Sequence, residues 1–595
     1  MRDLTGRLAR AAVAHPKRTL GLWGLAVVVA VALIALLLGS ALTTEGRMTN
    51  DPESYRGYDV IEEHLVPDTP QPTEVIAISA PGRRFEEPAF REKVEALVRD
   101  LRESGDVPTI VDPISAGDPR LVSADRDTVL VPVGIRSGSA VDDVIALVEQ
   151  AEGDGFETAI TGDRIVDHDF EKLSQDDLKK GELQFGLPAA LIVLLLVFGS
   201  LVAGLIPVVT ALVSIVVALA LTAILGQAFE LSFFVVNMLS GMGLALGIDY
   251  ALFVVSRFRE ERNGGRPVPD AIEIAGRTAN RAVLFSGTAF VLAMIGMVIV
   301  PDTILRSLAT GAILVGIVSV VASLTLLPAI LALLGDRVNA LRLPWLGRRI
   351  ERSAGTEGRL WSRVVAAVMR APLVSAALSI AALVALAAPI LDFPTGQAGV
   401  RAFPDRLASK QGFEILEREF GAGTIDQVQI VLSGRVTTPT AVAAVERLRA
   451  TIERDPAFSR AEARLAEDGE AALVSAFVAG DSREGVAVDA VKRLRATVVP
   501  EIAEPAGLEG FVTGTTAEVI DYQALTSDWL PIVFVFVLAL SFVLLLVAFR
   551  SLVMPIVAIG LNLLSVGAAY GLLLLVFVHG VGDGLLGFEN VDTIA

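Results

Sequence analysis

Apolar residues run uncharged from Thr19 to Thr44, then in eight further stretches, each long enough for about 30 Å of hydrocarbon. Gln184 to Phe229 is too long for one crossing and divides near Phe198-Gly-Ser-Leu-Val202, its second helix holding Pro207. Leu231 to Ser256, Ala282 to Val300, Ser307 to Leu334, Ala371 to Leu391, Leu530 to Phe549 and Ser551 to Val578 complete nine predicted spans. The first follows Arg2, Arg7, Arg10, Lys17 and Arg18 but is too long for a signal peptide, so it reads as a retained helix.

Between the first and second spans, and again between the seventh and eighth, the pattern changes to short alternating strands and amphipathic helices. TEVIAIS, VPTIVDP, TVLVPVGI and FETAITG read as strands, with helices in EEPAFREKVEALVRDLRES and AVDDVIALVEQAE. The order is βαββαβ, the ferredoxin-like pattern. DQVQIVLSG, TPTAVAAVERLRATIERD, RAEARL, AALVSAFVAG, EGVAVDAVKRLRATVV and GFVTG repeat it. SYRGYDVIEEHL at Ser54 aligns with SKQGFEILEREF at Ser409, and Ile160 with Val512. Asp169-Phe170 aligns with Asp521-Tyr522, and Ser200-Leu-Val202 with Ser551-Leu-Val553. Separations of 351 to 355 residues predict an internal duplication, a layout common in transporters.

Composition fixes the class. A chain of 595 residues that is 53% hydrophobic, with a mean hydropathy of +0.60, is an integral membrane protein rather than a soluble one. The net charge of −18 averages Arg-rich short loops with two acid-rich insertions, so it says little about nucleic acid or anionic partners, and no nucleic-acid partner is expected. Six arginines between Arg257 and Arg281, eight between Asp336 and Arg370 and the basic N-terminus place these loops in the cytoplasm. Both insertions then lie outside. There is no cysteine, His15, His64, His168 and His579 are scattered, and no phosphate-binding GxxxxGK[ST] stretch occurs. No metal, cofactor or catalytic constellation is therefore expected, and the protein is not read as an enzyme.

The one anomaly in the membrane is Asp249, the sole charge between Leu231 and Ser256, in GLALGIDYALFVVSRFREE. Intramembrane carboxylates are costly and mark ion or proton pathways, so Asp249 is expected to face the bundle interior; the competing reading is a cap near the cytoplasmic surface beside Arg257. Gly243 and Gly247 give a GxxxG spacing for close helix approach, and Gly241 extends that slim face. Tyr250 adds a hydroxyl about 100° around the helix from the acid, so each needs its own partner. Ser286, in LFSGTAF on the next span, is one candidate, although a serine there equally bonds the carbonyl one turn back. Asp302 after Pro301 reads as a turn residue.

These strings, the following AGRTANRAVLFSGTAF and the duplicated layout resemble the MMPL family of the RND superfamily, and residues 185 to 335 also resemble a sterol-sensing domain. The resemblance implies two Asp-Tyr pairs that cross-bond in mid-membrane and carry protons inward, with Asp249 and Tyr250 as the first pair and Ser286 in the relay. It also implies proton-driven export of lipids or other hydrophobic molecules. The repeat separation puts the second pair at or beyond residue 600, so the chain is expected to lack spans ten to twelve; Asp592, in GVGDGLLGFENVD, reads as a loop residue.

The expected architecture is a membrane α-helical protein with two exported α+β, ferredoxin-like domains in an RND-type duplication. Its parts are a cytoplasmic tail (1–18), helix 1 (19–42), exported domain 1 (43–182), helices 2–6 (183–335) and an Arg-rich cytoplasmic loop (336–370). Helix 7 (371–391), exported domain 2 (392–528), helices 8–9 (529–579) and an exterior loop (580–595) follow. Expected partners are protons, membrane lipids and a hydrophobic substrate in the inner or plasma membrane, with room for accessory membrane or exterior proteins. Drug efflux and a non-pumping sterol-sensing-type receptor are the alternatives.

Overall fold

The computed structural model describes residues 4–43, 46–65, 73–136, 140–342, 359–392, 400, 403–420, 427–478 and 485–582. Part of the Arg-rich loop, most of the 580–595 segment and Asp592 lie outside these. Two compact units emerge, one of helices (1–49, 173–392 and 529–575) and one of mixed α/β structure (50–172, 393–528 and 576–595).

Nine helices among the described residues are long and apolar enough to cross a membrane. They are Pro16–Ser40, Asp163–Phe198, Leu201–Leu225, Phe234–Asn263, Val268–Val298, Thr303–Asn339, Pro372–Leu391, Thr515–Phe549 and Val553–Val578, numbered below as the first to ninth spans. The second and third divide where expected. Gly199 takes the left-handed conformation (φ 64°) that ends a helix, and the Ser200 side chain caps the next by accepting from the Ala203 amide. Asp302 likewise caps the sixth span, its carboxylate accepting from the Leu305 amide at 2.7 Å.

The second span begins about 20 residues earlier than its apolar run, as a helix from Asp163 that widens into π-helical turns over Leu178–Gly186. The eighth similarly begins at Thr515. The fourth span is central, packing against the third and sixth. The first span is tied in by Trp23, whose Nε1 donates to Thr325 Oγ1 at 3.1 Å, and by a parallel pairing of Leu42–Thr43 with Leu231–Ser232.

The α/β unit has two antiparallel four-stranded sheets. We label the strands β1 (Glu74–Ser79), β2 (Thr109–Ile110), β3 (Thr128–Gly134), β4 (Glu157–Gly162), β5 (Gln427–Ser433), β6 (Phe458–Leu465), β7 (Ala471–Val478) and β8 (Glu509–Thr513). Their spatial orders are β2-β3-β1-β4 and β6-β7-β5-β8, the same order in each sheet. Alternate residues of β1 and β3 (Ile76, Ile78, Val129, Val131, Val133) meet the apolar stripe of helix Pro88–Ser104 (Phe90, Val94, Leu97, Leu101) in one core. Val428, Ile430 and Leu432 of β5 do the same with helix Pro439–Arg454.

Two helices cross between the halves of this unit. Helix Glu53–His64 packs on β8 and β5, and helix Ala408–Phe420 packs on β4 and β1. Both are held by a carboxylate at the first turn: Asp521 Oδ2 accepts from the Ser54 amide at 3.1 Å, and Asp169 Oδ2 accepts from the Ser409 amide at 2.8 Å and hydroxyl at 2.6 Å. Both also approach a strand through glycine: a Cβ on Gly412 would stand 2.6 Å from the Ile160 backbone, and one on Gly57 3.1 Å from the Thr513 side chain.

The far end of the first of these helices carries a pH-dependent contact. His64 Nδ1 lies 2.7 Å from Asp468 Oδ2, and this hydrogen bond holds the imidazolium above its ordinary range. Because the folded value is raised, its stabilisation is complete below the unfolded histidine pKa, about 6.5, and is lost as pH rises through the folded value. Asp468→Asn is expected to flatten the dependence of the melting temperature on pH above that value; an unchanged profile would remove His64 as its source.

Candidate functional site

The fourth span, Phe234–Asn263, buries Val235, Leu239, Gly243, Gly247, Tyr250, Ala251, Val254, Val255 and Phe258, a helical stripe. Gly243 and Gly247 lie on its packed face. A Cβ on Gly247 would stand 2.6 Å from both Cα and Cβ of Ala211 on the third span; one on Gly243 would meet Ile215 Cγ1 at 2.3 Å and Val315 Cγ2 at 3.0 Å. Gly241 differs from the expectation of a continuous slim face: its nearest neighbour is Glu182 Oε1, 3.1 Å from where a Cβ would be.

Helical geometry separates the two residues of the Asp-Tyr pair. At about 100° per residue, Tyr250 is about 60° from Gly247 and turns inward, whereas Asp249 is about 200° away. Tyr250 is 4% exposed, and Asp249 lies on the exposed face with Ala245, Phe253 and Ser256. The acid was expected to face the interior of the bundle; the close approach at Gly247 instead fixes the packed side opposite to it.

The Tyr250 hydroxyl lies near Ser286 on the fifth span. Ser286 Oγ donates to the Val283 carbonyl at 3.2 Å, leaving its lone pairs to accept from tyrosine. The bond to the carbonyl one turn back is thus the one Ser286 makes here. Gly287, which sequence reasoning missed, permits the contact: a Cβ there would collide with Val320 Cγ2 at 2.2 Å and stand 3.4 Å from the Tyr250 hydroxyl. Glu182 was missed as well, because it lies just before the uncharged run. Among the described residues no three His, Asp or Glu side chains gather as metal ligands.

Nine helices long and apolar enough to cross a membrane, among the described residues, with two α/β segments between them, define a multi-pass membrane protein. The profile of the MMPL family matches residues 48–375 and 404–588, and the chain belongs to that family, within the RND superfamily. It is 34% identical over 418 residues to the mycolic acid-containing lipids exporter MmpL11 of Mycolicibacterium smegmatis, a match covering 69% of this chain and 43% of that protein. The heme uptake protein MmpL11 of Mycobacterium tuberculosis is also 34% identical, over 425 residues covering 71% and 43%. The putative membrane protein SCO6666 of Streptomyces coelicolor is 30% identical over 605 residues, covering 99% of this chain and 80% of that one. The matched stretch thus spans less than half the length of either MmpL11.

Proposed function

We propose that the protein exports lipids or similar amphiphiles across the cell membrane, driven by protons taken up at Asp249 and passed with the help of Tyr250 and Ser286. The observation that carries this reading is the buried tyrosine near Ser286, beside the one acid between Leu231 and Ser256. Asp249, on the opposite face, takes its partner in this reading from a helix outside the described residues. One proton crossing 100 mV contributes about 2.3 kcal/mol. Protonation removes the membrane charge, lets helical blocks shift and changes access for the substrate.

In the same reading the N-terminus and the arginine-rich loops are cytoplasmic and both α/β segments lie outside. These segments are two ferredoxin-like copies from an internal duplication; their identical strand orders and crossed Ser-Asp clamps support it. The relative named for mycolic-acid lipid export favours a lipid cargo, and the one named for heme uptake makes heme the second cargo to assay.

Asp249→Asn is expected to abolish proton-dependent lipid movement in proteoliposomes while the amount of protein in the membrane stays unchanged. Transport that persists in this variant, or that survives collapse of the proton gradient in the unaltered protein, sinks the mechanism. Replacing lipid by heme in the same vesicles separates the two cargoes.

A further inference from the structure

Ser319 Oγ and Ser323 Oγ on the sixth span, both amide atoms of Asn280 on the fifth, and Thr5 Oγ1 on helix Leu4–Ala14 are buried without a hydrogen-bond partner. Their residues are 0 to 1% exposed. Other hydroxyls of the third and sixth spans behave differently: Thr210, Ser214, Thr222, Ser307 and Thr325 each donate to the carbonyl one turn back, at 2.6 to 3.0 Å. A buried polar group left unpaired is disfavoured, so these four residues need partners that the surrounding side chains do not supply.

Helix geometry lines them up. Val315 faces the fourth span, 3.0 Å from where a Cβ on Gly243 would be, and Val320 faces Gly287, which lies beside the Tyr250 hydroxyl. At about 100° per residue, Ser319 and Ser323 fall about 40° and 80° round from Val315, inside the arc of about 140° that ends at Val320. Both hydroxyls therefore sit on the side of the sixth span turned to Tyr250. Asn280 is seven residues from Gly287, about 20° round and about 10 Å along the fifth span, so it shares the same face. Ser323 is about 5 Å along from Val320 in the same direction, because the Arg262–Asp336 ion pair joins the ends of the fourth and sixth spans where the fifth begins. The remaining distance of about 6 Å is the reach of one or two bridging waters. Thr5 closes the line: a Cβ on Gly276 would stand 3.9 Å from Asn280 Nδ2, 3.5 Å from the Thr5 carbonyl and 2.6 Å from Ala9 Cβ. Helix Leu4–Ala14 thus covers Asn280, packed on Val268–Arg277 and on the sixth span.

We propose that Ser319, Ser323 and Asn280 hold a chain of waters running from Tyr250 to the arginine-rich end of the helical unit, with helix Leu4–Ala14 as its plug at Thr5. Water suits these groups, because each hydroxyl and the amide both donates and accepts, as water does, and none of the four residues carries a charge to meet an ion. The use of the chain, as a way out for protons past Tyr250, rests on the proposed function. Its hydration does not.

The sequence holds no cysteine, so single cysteines report water directly. A thiol reacts as its thiolate, which forms where water reaches it and is suppressed in apolar surroundings. In the full chain in lipid nanodiscs, Ser319→Cys and Ser323→Cys, near-isosteric changes, are expected to react with methanethiosulfonate ethylammonium about tenfold faster than Ala329→Cys. Ala329 is 0% exposed, lies outside the arc between Val315 and Val320, and is six residues nearer the arginine-rich end than Ser323, so leakage from that end labels it first. Asn280→Leu, which breaks the chain, is expected to slow Ser323→Cys about tenfold. Ala9→Leu, which crowds Gly276 and lifts the plug, is expected to quicken it about tenfold and leave Ala329→Cys unchanged. Melting curves like those of the single-cysteine proteins show that the double variants fold. Equal rates at Ser323→Cys and Ala329→Cys mean a dry bundle and overturn the proposal; indifference to Asn280→Leu overturns the place of Asn280 in the chain, and indifference to Ala9→Leu overturns the plug. Rates as expected, beside transport that survives collapse of the proton gradient, retain the water chain and overturn the proton reading alone.

Discussion

Asp521→Ala is expected to cost about 3 kcal/mol of local stability where helix Glu53–His64 meets β8, at the lower end of the range for breaking one side of a buried ion pair. Asp521 and Arg495 are 12% and 13% exposed, with contacts of 2.5 and 2.8 Å, and the same carboxylate holds the Ser54 amide. Removing it leaves a guanidinium with the Val512 carbonyl at 3.0 Å and Glu53 at 3.5 Å, which offset part of the loss. The contrast is Arg56 with Glu509, 49% and 64% exposed, where Glu509→Ala is expected to cost well under 1 kcal/mol. Hydrogen exchange at the amides of Glu53–His64 and β8 in the full chain reads this local opening. If Asp521→Ala changes protection no more than Glu509→Ala does, the clamp does not hold the helix. Asp521→Leu combined with Arg495→Met is expected to cost less than Asp521→Ala alone, because no unpaired charge is left buried.

The strands around this clamp were legible because alternation of apolar residues reports a half-buried sheet directly. Alignment of Ser54 with Ser409 and of Asp169 with Asp521 was legible too, but the crossing was not: Ser54 meets Asp521, and Ser409 meets Asp169. An amphipathic stripe records that a helix face is covered and says nothing of which sheet covers it. The start of the second span was missed for a different reason. Lys179, Lys180 and Glu182 interrupt the hydrophobic run, yet the backbone stays helical through them, with the lysines exposed and Glu182 half-buried against Gly241.

At the candidate site, residue types were readable and directions less so. The packed face could have been inferred from Gly243 and Gly247, since counting about 100° per residue onward puts Tyr250 inside and Asp249 outside. Attention to the cost of a membrane carboxylate favoured an inward acid, whereas the close approach of Ala211 decides the rotation of the helix. Gly287 left little local signal, because its importance lies in Val320 and Tyr250, far away in the chain.

That rotation makes Gly247 the position where a small change has the largest consequence. A Cβ there would lie 2.6 Å from the Ala211 backbone as well as its side chain, so no rotamer change relieves the contact and the third and fourth spans must separate. Gly247→Ala is expected to cost about 1–3 kcal/mol, the usual penalty for overpacking, and Gly247→Leu to exceed it and deplete folded protein from the membrane. Gly243→Ala is expected to cost less despite its shorter contact, because Ile215 Cγ1 is a side-chain atom that can turn away. Ala245→Leu, on the exposed face, serves as the near-neutral reference. Melting in detergent ranks the four. Separation of these spans also draws Tyr250, one turn beyond Gly247, away from Ser286, so under the proposed transport function the Gly247→Ala protein that does fold is expected to lose transport more than stability. A Gly247→Ala variant as stable and active as Ala245→Leu would mean that the third and fourth spans do not meet through this glycine.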